Sequence, residues 1–65
     1  MNDNRPSPMS KQRRQEIFQA LVLEQDGGAS VQDSRGHAAR RFGLSVEGVR
    51  RIEREGIEAG WPPLE

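Results

Sequence analysis

The sequence predicts an all-α domain of three helices that contains a helix-turn-helix. The first supporting observation is a segment rich in helix-forming residues, KQRRQEIFQALVLEQ (residues 11–25), whose apolar side chains recur at helical spacing. The second is the stretch FGLS (residues 42–45), which is typical of a helix end, a turn and the cap of a new helix. A chain of 65 residues has room for one domain, so we expect the three helices to pack together.

The first helix is predicted over residues 11–25. Ser10 is a suitable N-cap, because its hydroxyl can accept a hydrogen bond from a backbone N–H of the first turn. Ile17 and Leu21 lie four residues apart and therefore on one face, which neighbouring apolar residues widen. The sequence DGG (residues 26–28) ends the helix, since glycine tolerates the left-handed conformation common at helix C-termini.

The second helix is predicted over residues 34–43, with Ser34 as its N-cap. Ser30 is a competing start, because Asp33 follows it at the spacing of a capping box. If the helix starts at Ser34, as we expect, the residues before it form a connector whose Val31 enters the core. The buried face of this helix consists of Ala38, Ala39 and Phe42.

The third helix is predicted over residues 45–58, with Ser45 as its N-cap. Gly43 ends the preceding helix and Leu44 points inward, so a short glycine-containing turn joins the two helices, as in helix-turn-helix proteins. On a helical wheel the buried side consists of Val49, Ile52 and Gly56, flanked by Val46 and Ile57. The opposite side consists of Glu47, Arg51, Arg54 and Glu58, with Arg50 at its edge.

The two ends of the chain lack helical periodicity. Residues 1–9 are polar with two prolines, which predicts a disordered arm and leaves residues 10–65 as the domain. The proline pair at residues 62–63 prevents a helical tail. Trp61 is the only tryptophan, and we expect the tail of Trp61, the two prolines and Leu64 to pack over the first helix or against Gly56. The alternative is that Trp61 serves as a partner-docking anchor.

Composition restricts the functional classes. The chain has no cysteine, which excludes disulfides and thiolate metal sites. No apolar run is long enough for a membrane span or a signal peptide, so we expect a cytoplasmic protein without membrane association. His37 is the only histidine, and we therefore expect neither a metal nor another cofactor. A chain this small seldom encloses the pocket that catalysis needs, so we do not expect an enzyme.

The charged residues are unevenly distributed, although the net charge is zero. Residues 35–54 contain six arginines and two glutamates, an excess of four positive charges. Segregated charge produces a local positive field even on a neutral protein. These arginines are either an ordinary solvated surface, in which Glu47 pairs with Arg50 or Arg51 at helical spacing, or a surface that contacts an anion.

The run SRGHAARRFGLSVEGVRRIEREGI (residues 34–57) resembles the fourth conserved region of bacterial RNA polymerase sigma factors. In that family a helix-turn-helix reads a promoter element, and the similarity covers roughly residues 10–57. The stretch VRRIE is the most specific part. The matching residues are Ser34, Phe42, Ser45, Glu47, Val49, Arg50, Ile52 and Glu53. The resemblance implies that Glu47, Arg50 and Arg51 face the major groove of DNA.

Three positions depart from the pattern of that family. Val46 stands where the family usually has a base-contacting arginine, Gly48 replaces a phosphate-contacting basic residue, and Arg51 replaces a glutamine. The chain also has nothing like the region with which sigma factors melt promoter DNA. We therefore expect an isolated module rather than a complete sigma factor, and the family's target sequence does not carry over.

The sequence thus predicts a transcriptional module with duplex DNA as its partner, whose helix beginning at Ser45 enters the major groove. Arginine can bind guanine there and glutamate can accept from cytosine. Arg40 and Arg41 are candidates for phosphate contacts, although cations at a helix C-terminus also suit the helix dipole. The predicted DNA-binding residues are Arg40, Arg41, Ser45, Val46, Glu47, Arg50, Arg51 and Arg54.

The alternative is a protein-interaction module that keeps the helix-turn-helix fold without reading DNA. Its partner would be RNA polymerase, a sigma factor or another regulator. The neutral net charge and the departures at Val46 and Gly48 favour this alternative. The sequence leaves the oligomeric state open.

Overall fold

The computed structural model describes residues 9–64 as three α-helices packed against one another. The helices are α1 (Lys11–Asp26), α2 (Val31–Phe42) and α3 (Val46–Ala59), and each contacts both of the others. This part of the chain has no strand, and none of its helices has the length and apolar composition that a bilayer crossing requires. The predicted all-α class with three helices is confirmed. Apart from Met9, which packs against the core, the predicted arm lies outside the described residues.

The bounds of α1 agree with the predicted helix to within one residue. Ser10 has an extended backbone, and its Oγ accepts a hydrogen bond from the N–H of Arg13 at 3.1 Å, which confirms the predicted N-cap. At the other end, the N–H of Gly27 donates to the carbonyl oxygens of Leu23 and Glu24. Gly28 then adopts a φ of 110°, a conformation that glycine reaches without steric cost.

The predicted start of α2 at Ser34 is wrong, and the competing start at Ser30 is correct. The Oγ of Ser30 accepts from the N–H of Asp33 at 3.0 Å, so the helix begins one turn earlier. Ser34 lies inside the helix and is buried. Its hydroxyl is satisfied there, since it donates to the carbonyl of Val31 at 2.8 Å and accepts from Gln25 Nε2 at 2.9 Å. The predicted burial of Val31 is also wrong: as the first helical residue it is 45% exposed.

The core consists of two clusters that α3 shares with its neighbours. The first cluster contains Ile17, Phe18, Ile52 and Trp61, and the second contains Leu21, Ala38, Ala39 and Val49. Phe42 and Leu44 are partly buried and pack against both clusters, so they join the two halves of the core. The predicted inward faces of all three helices are confirmed at these positions.

Trp61 folds back onto the helices, as predicted. Its side chain is 5% exposed, and its ring meets that of Phe18 edge to face, with centroids 6.0 Å apart. The N–H of Trp61 donates to the carbonyl oxygen of Gly56 at 3.0 Å, which fixes the chain after the end of α3. The rest of the predicted packed tail is exposed, including Leu64 at 48%. The tail is therefore held by its tryptophan.

Two ion pairs join α3 to the other helices. Arg14 of α1 donates from Nε and Nη2 to the two oxygens of Glu55, both at 2.9 Å, and from Nη1 to the carbonyl of Met9. The hydrogen bond to Glu55 raises the pKa of Arg14 above its ordinary value. Arg35 of α2 donates from Nε to Glu53 Oε1 at 2.7 Å. These pairs fix the rotation of α3 about its own axis.

Candidate nucleic-acid interface

A three-residue turn, Gly43–Ser45, separates α3 from α2. Gly43 has a left-handed backbone with φ 71°, and the N–H of Leu44 donates to the carbonyl oxygen of Ala39 at 2.8 Å. Ser45 is the N-cap of α3, as predicted, because its Oγ accepts from the N–H of Gly48 at 3.0 Å. The hydroxyl hydrogen of Ser45 makes no hydrogen bond within the described residues, so it can donate to an external acceptor.

The two sides of α3 differ sharply in exposure. Val49, Ile52 and Gly56 are buried, which confirms the predicted inward face. The predicted flanking residues are largely exposed instead, with Val46 at 47% and Ile57 at 58%. The buried stripe is therefore narrow, and most of the circumference of α3 faces solvent.

Three arginines lie on the exposed side of α3. Arg50 Nη1 is 3.6 Å from Glu47 Oε1, and both side chains are more than half exposed, so this predicted pair exists but is weak. Arg51 and Arg54 are exposed and make no hydrogen bond or ion pair with any residue in the range 9–64. The alternative pairing of Glu47 with Arg51 does not form. Two cations on consecutive turns are thus free to meet a ligand.

The ion pairs between helices remove negative charge from this exposed side. Glu53 and Glu55 belong to α3, yet each turns back to an arginine of a neighbouring helix. Glu47 and Glu58 are the acids that remain on the outer side of α3. Arg35 is one of the six arginines of the segment that the sequence predicts to be positive. Its charge is neutralised by Glu53, so Arg35 does not add to the positive surface. Three arginines and two glutamates therefore remain on the outer side of α3, an excess of one positive charge, and Arg40 and Arg41 add two more at the end of α2.

A second basic group surrounds Phe42 at the end of α2. Arg40 and Arg41 occupy the last turn of α2 and are exposed, as predicted. The guanidinium carbon of Arg41 lies 5.1 Å from the centroid of the Phe42 ring, and that of Arg13 lies at the same distance. Arg13 was not among the predicted interface residues. No spacing in the sequence reveals it, because its position beside Phe42 depends on the packing of α1 against α2.

The exposed surface over α3 carries charges of both signs, four arginines and four glutamates. An open, shallow depression lies over α3, and its lining is almost entirely charged. Within the described residues, no group of histidine, cysteine, aspartate and glutamate side chains could hold a metal ion. His37, the histidine of α2, has its Nδ1 3.1 Å from Glu24 Oε1, a contact between two exposed side chains.

The predicted interface residues fall into two groups in the structure. Ser45, Val46, Glu47, Arg50, Arg51 and Arg54 lie at the start or on the exposed side of α3, and Arg40 and Arg41 lie at the end of α2. The turn that separates the groups is only three residues long, which keeps them close together. Comparison with protein-family models, curated proteins and solved structures finds nothing that matches this chain.

Proposed function

We propose that this domain is a helix-turn-helix module that binds duplex DNA by inserting α3 into the major groove. The observation that carries the proposal is the pair Arg51 and Arg54, exposed and without any partner in the described part of the chain. The opposite side of α3 is buried in the core, so both side chains are held outward. The major groove of B-DNA is about 12 Å wide and admits an α-helix.

The side chains of α3 offer several kinds of base contact. Arg51 and Arg54 can each donate two hydrogen bonds to guanine, a contact worth about 1–3 kcal/mol of discrimination. Arg50 and Glu47 form an exposed ion pair at 3.6 Å, which is weak enough to exchange for contacts with guanine and cytosine. Val46 is the first residue of α3 and is 47% exposed, so it can contact the methyl group of thymine.

Phosphate contacts would hold α3 in register on the duplex. Arg40 and Arg41 are exposed at the end of α2, immediately before the turn. Ser45 has a free hydroxyl hydrogen, and the first-turn N–H groups of α3 carry the positive end of the helix dipole. Such contacts position a protein on DNA without reading its sequence.

The resemblance of residues 34–57 to sigma factors supports a role in transcription, in the bacterial cytoplasm where chromosomal DNA lies. The α2–turn–α3 unit has the first helix ending at Phe42, the short turn and the Ser45 cap that the resemblance implies, whereas Ser34, matched to the cap of the first helix, lies inside α2. One small domain makes few contacts, so specific binding requires a second copy or attachment to a larger transcription complex.

Replacement of Arg51 and Arg54 together by glutamine tests the proposal. We expect the double variant to lose roughly tenfold or more in affinity for mixed-sequence duplex DNA at low salt, because it removes two positive charges from the surface that faces the duplex, and electrostatic contacts supply essentially all of the affinity for such DNA. Fluorescence anisotropy with labelled duplex measures the loss, and circular dichroism checks that the helices persist. Lys11 is an exposed cation without a partner in the described range, at the start of α1, so Lys11→Gln matches each single variant, Arg51→Gln or Arg54→Gln, in charge and should lose less affinity than either. Equal affinity of the double variant and Lys11→Gln would contradict the proposal.

A protein-interaction module is the second candidate, and the composition of the same surface favours it. Val46 and Ile57 expose apolar surface on α3, and Glu47 and Glu58 offset part of its positive charge. A partner such as RNA polymerase, a sigma factor or another regulator could use both features. Trp61 cannot be the docking anchor in this arrangement, because its side chain is buried against Phe18.

The two proposed functions predict different effects on binding when an exposed apolar residue of α3 is replaced. Ile57→Ser removes an exposed side chain from the outer part of α3 and leaves all its arginines in place. A DNA-binding module should keep its affinity for duplex within about twofold, since salt-dependent phosphate contacts dominate that affinity. A protein-interaction module should lose binding to purified RNA polymerase or sigma factor, measured by surface plasmon resonance.

A further inference from the structure

We infer that a phosphate clamp extends the DNA contact from α3 onto α1. It is formed by Arg13 of α1 and Arg41 of α2, which both contact the Phe42 ring. The inference rests on the proposed binding of duplex DNA and names a contact residue outside the helix-turn-helix. The clamp is defined here as Arg13, Arg41 and Phe42.

The Phe42 ring contacts cations from two different helices. The guanidinium carbons of Arg13 and Arg41 both lie 5.1 Å from the centroid of the Phe42 ring, although the two arginines belong to different helices. Phe42 packs against both clusters of the core, so its ring is fixed by the fold rather than by the arginines. The face of an aromatic ring attracts cations, which keeps both guanidinium groups close to it.

The clamp has more positive than negative charge. Glu16 is its one acidic neighbour in the described structure, 3.2 Å from Arg13 Nη1, and both of these side chains are about half exposed. Arg41 has no acidic partner in the range 9–64, and neither has its neighbour Arg40. Two arginines beside one ring, with one acidic partner between them, favour an added anion. Phosphate oxygens match the fork of N–H donors on a guanidinium group.

The position of the clamp suits a phosphate at the edge of the groove that α3 would occupy. Phe42 ends α2, and three residues of chain connect it to the N-cap of α3 at Ser45. Three residues span at most about 11 Å, so the clamp lies beside the N-terminus of α3. The major groove is about 12 Å wide and its edges are lined with phosphates. A helix N-terminus in the groove therefore places the clamp within reach of one phosphate strand.

The salt dependence of DNA binding tests the clamp, with the full chain and a mixed-sequence duplex. Each phosphate contact contributes about 0.9 to the slope of the logarithm of affinity against the logarithm of salt concentration. Because the two arginines share one phosphate, Arg13→Gln and Arg41→Gln should each reduce the slope, and the double variant should reduce it by about 0.9. Lys11→Gln is the matched control. It removes the same charge from α1, but residues two apart on a helix point in different directions, so its slope should stay near that of the wild type.

Two further variants separate a specific contact from general electrostatics. Glu16→Gln removes the carboxylate that competes for Arg13 and should raise the affinity for DNA more than Asp26→Asn, which removes an exposed acid at the far end of α1. Phe42→Leu keeps an apolar side chain but removes the ring, so it should reduce the salt slope even where circular dichroism shows a folded domain. A lower slope in a folded variant would show that the Phe42 ring positions the two arginines, since loss of core packing alone would not change the number of phosphate contacts.

The outcomes distinguish this inference from the proposed function. If the wild type binds duplex while Arg13→Gln and Lys11→Gln have the same slope, the clamp is overturned and DNA binding through α3 stands. If Glu16→Gln and Asp26→Asn raise the affinity equally, the specific role of Arg13 is likewise overturned. If the wild type does not bind duplex at any salt concentration, the proposed function fails and the clamp fails with it.

Discussion

Gly56 allows α3 to approach α1 closely, because it has no side chain where Phe18 lies. A Cβ atom at this position would stand 2.4 Å from Cδ1 of the Phe18 ring, far inside normal contact distance. The carbonyl oxygen of Gly56 also accepts the hydrogen bond from the Trp61 N–H. One glycine therefore serves both the helix contact and the return of the tail.

We expect Gly56→Ala to destabilise the domain by roughly 1–3 kcal/mol, the usual cost of overpacking a core. The clash involves the ring of Phe18, which is 1% exposed and has little room to move. Gly36→Ala is the matched control, because a Cβ there meets no atom within 4 Å. Alanine should stabilise α2 at Gly36 by about 0.5–1 kcal/mol through its higher helix propensity.

Urea denaturation of both variants, monitored by circular dichroism, measures the two changes in the free energy of unfolding. Opposite signs are the expected result. A Gly56→Ala variant as stable as Gly36→Ala would show that α1 and α3 do not pack as closely as described.

The residues of the inward face of α3 were predictable, whereas their partners were not. Helical spacing alone assigned Val49, Ile52 and Gly56 to the buried side. The same spacing could not reveal that Phe18 fills the notch at Gly56, because that contact depends on the angle and separation of two helices. The exposure of Val46 and Ile57 could not be predicted either, because the width of the buried stripe on a helix depends on how many neighbouring elements cover it.

At the scale of the elements, the start of α2 shows where local signals compete. Ser30 and Ser34 are both chemically suitable N-caps, and each precedes a stretch that can be helical. In the structure Ser30 is the cap, and Ser34 lies at the interface with α1, where Gln25 donates to its hydroxyl. A tertiary contact thus decides between two starts that the local sequence leaves nearly equal.

Ser30→Ala tests the cap. We expect a loss of about 1 kcal/mol in the free energy of unfolding, within the usual range of about 0.5–2 kcal/mol for a lost N-cap, because the N–H of Asp33 loses its acceptor. Gln32→Ala is the matched control, since Gln32 is an exposed residue of the same first turn whose side chain makes no hydrogen bond with any residue in the range 9–64. Chemical denaturation compares the two, and equal stability would mean that Ser30 is not the cap.

At the scale of the whole molecule, folding redistributes a charge that is balanced in the sequence. The net charge is zero, yet two of the acids of α3 are turned toward α1 and α2, and two of its arginines have no partner among residues 9–64. The three helices and the outer side of α3 could be predicted from periodicity, caps and turn residues. The pairs Arg14–Glu55 and Arg35–Glu53 could not, because their members lie 41 and 18 residues apart and meet only when the helices pack.

The central claim is that the outer side of α3 binds duplex DNA, and a titration followed by amide chemical shifts tests it most directly. Mixed-sequence duplex is added at low salt to isotope-labelled protein. The shift changes should centre on residues 45–54 and weaken steeply as salt is raised, because phosphate contacts release counterions. An absence of shift changes at the highest DNA concentration, or changes confined to other surfaces of the domain, would contradict the claim.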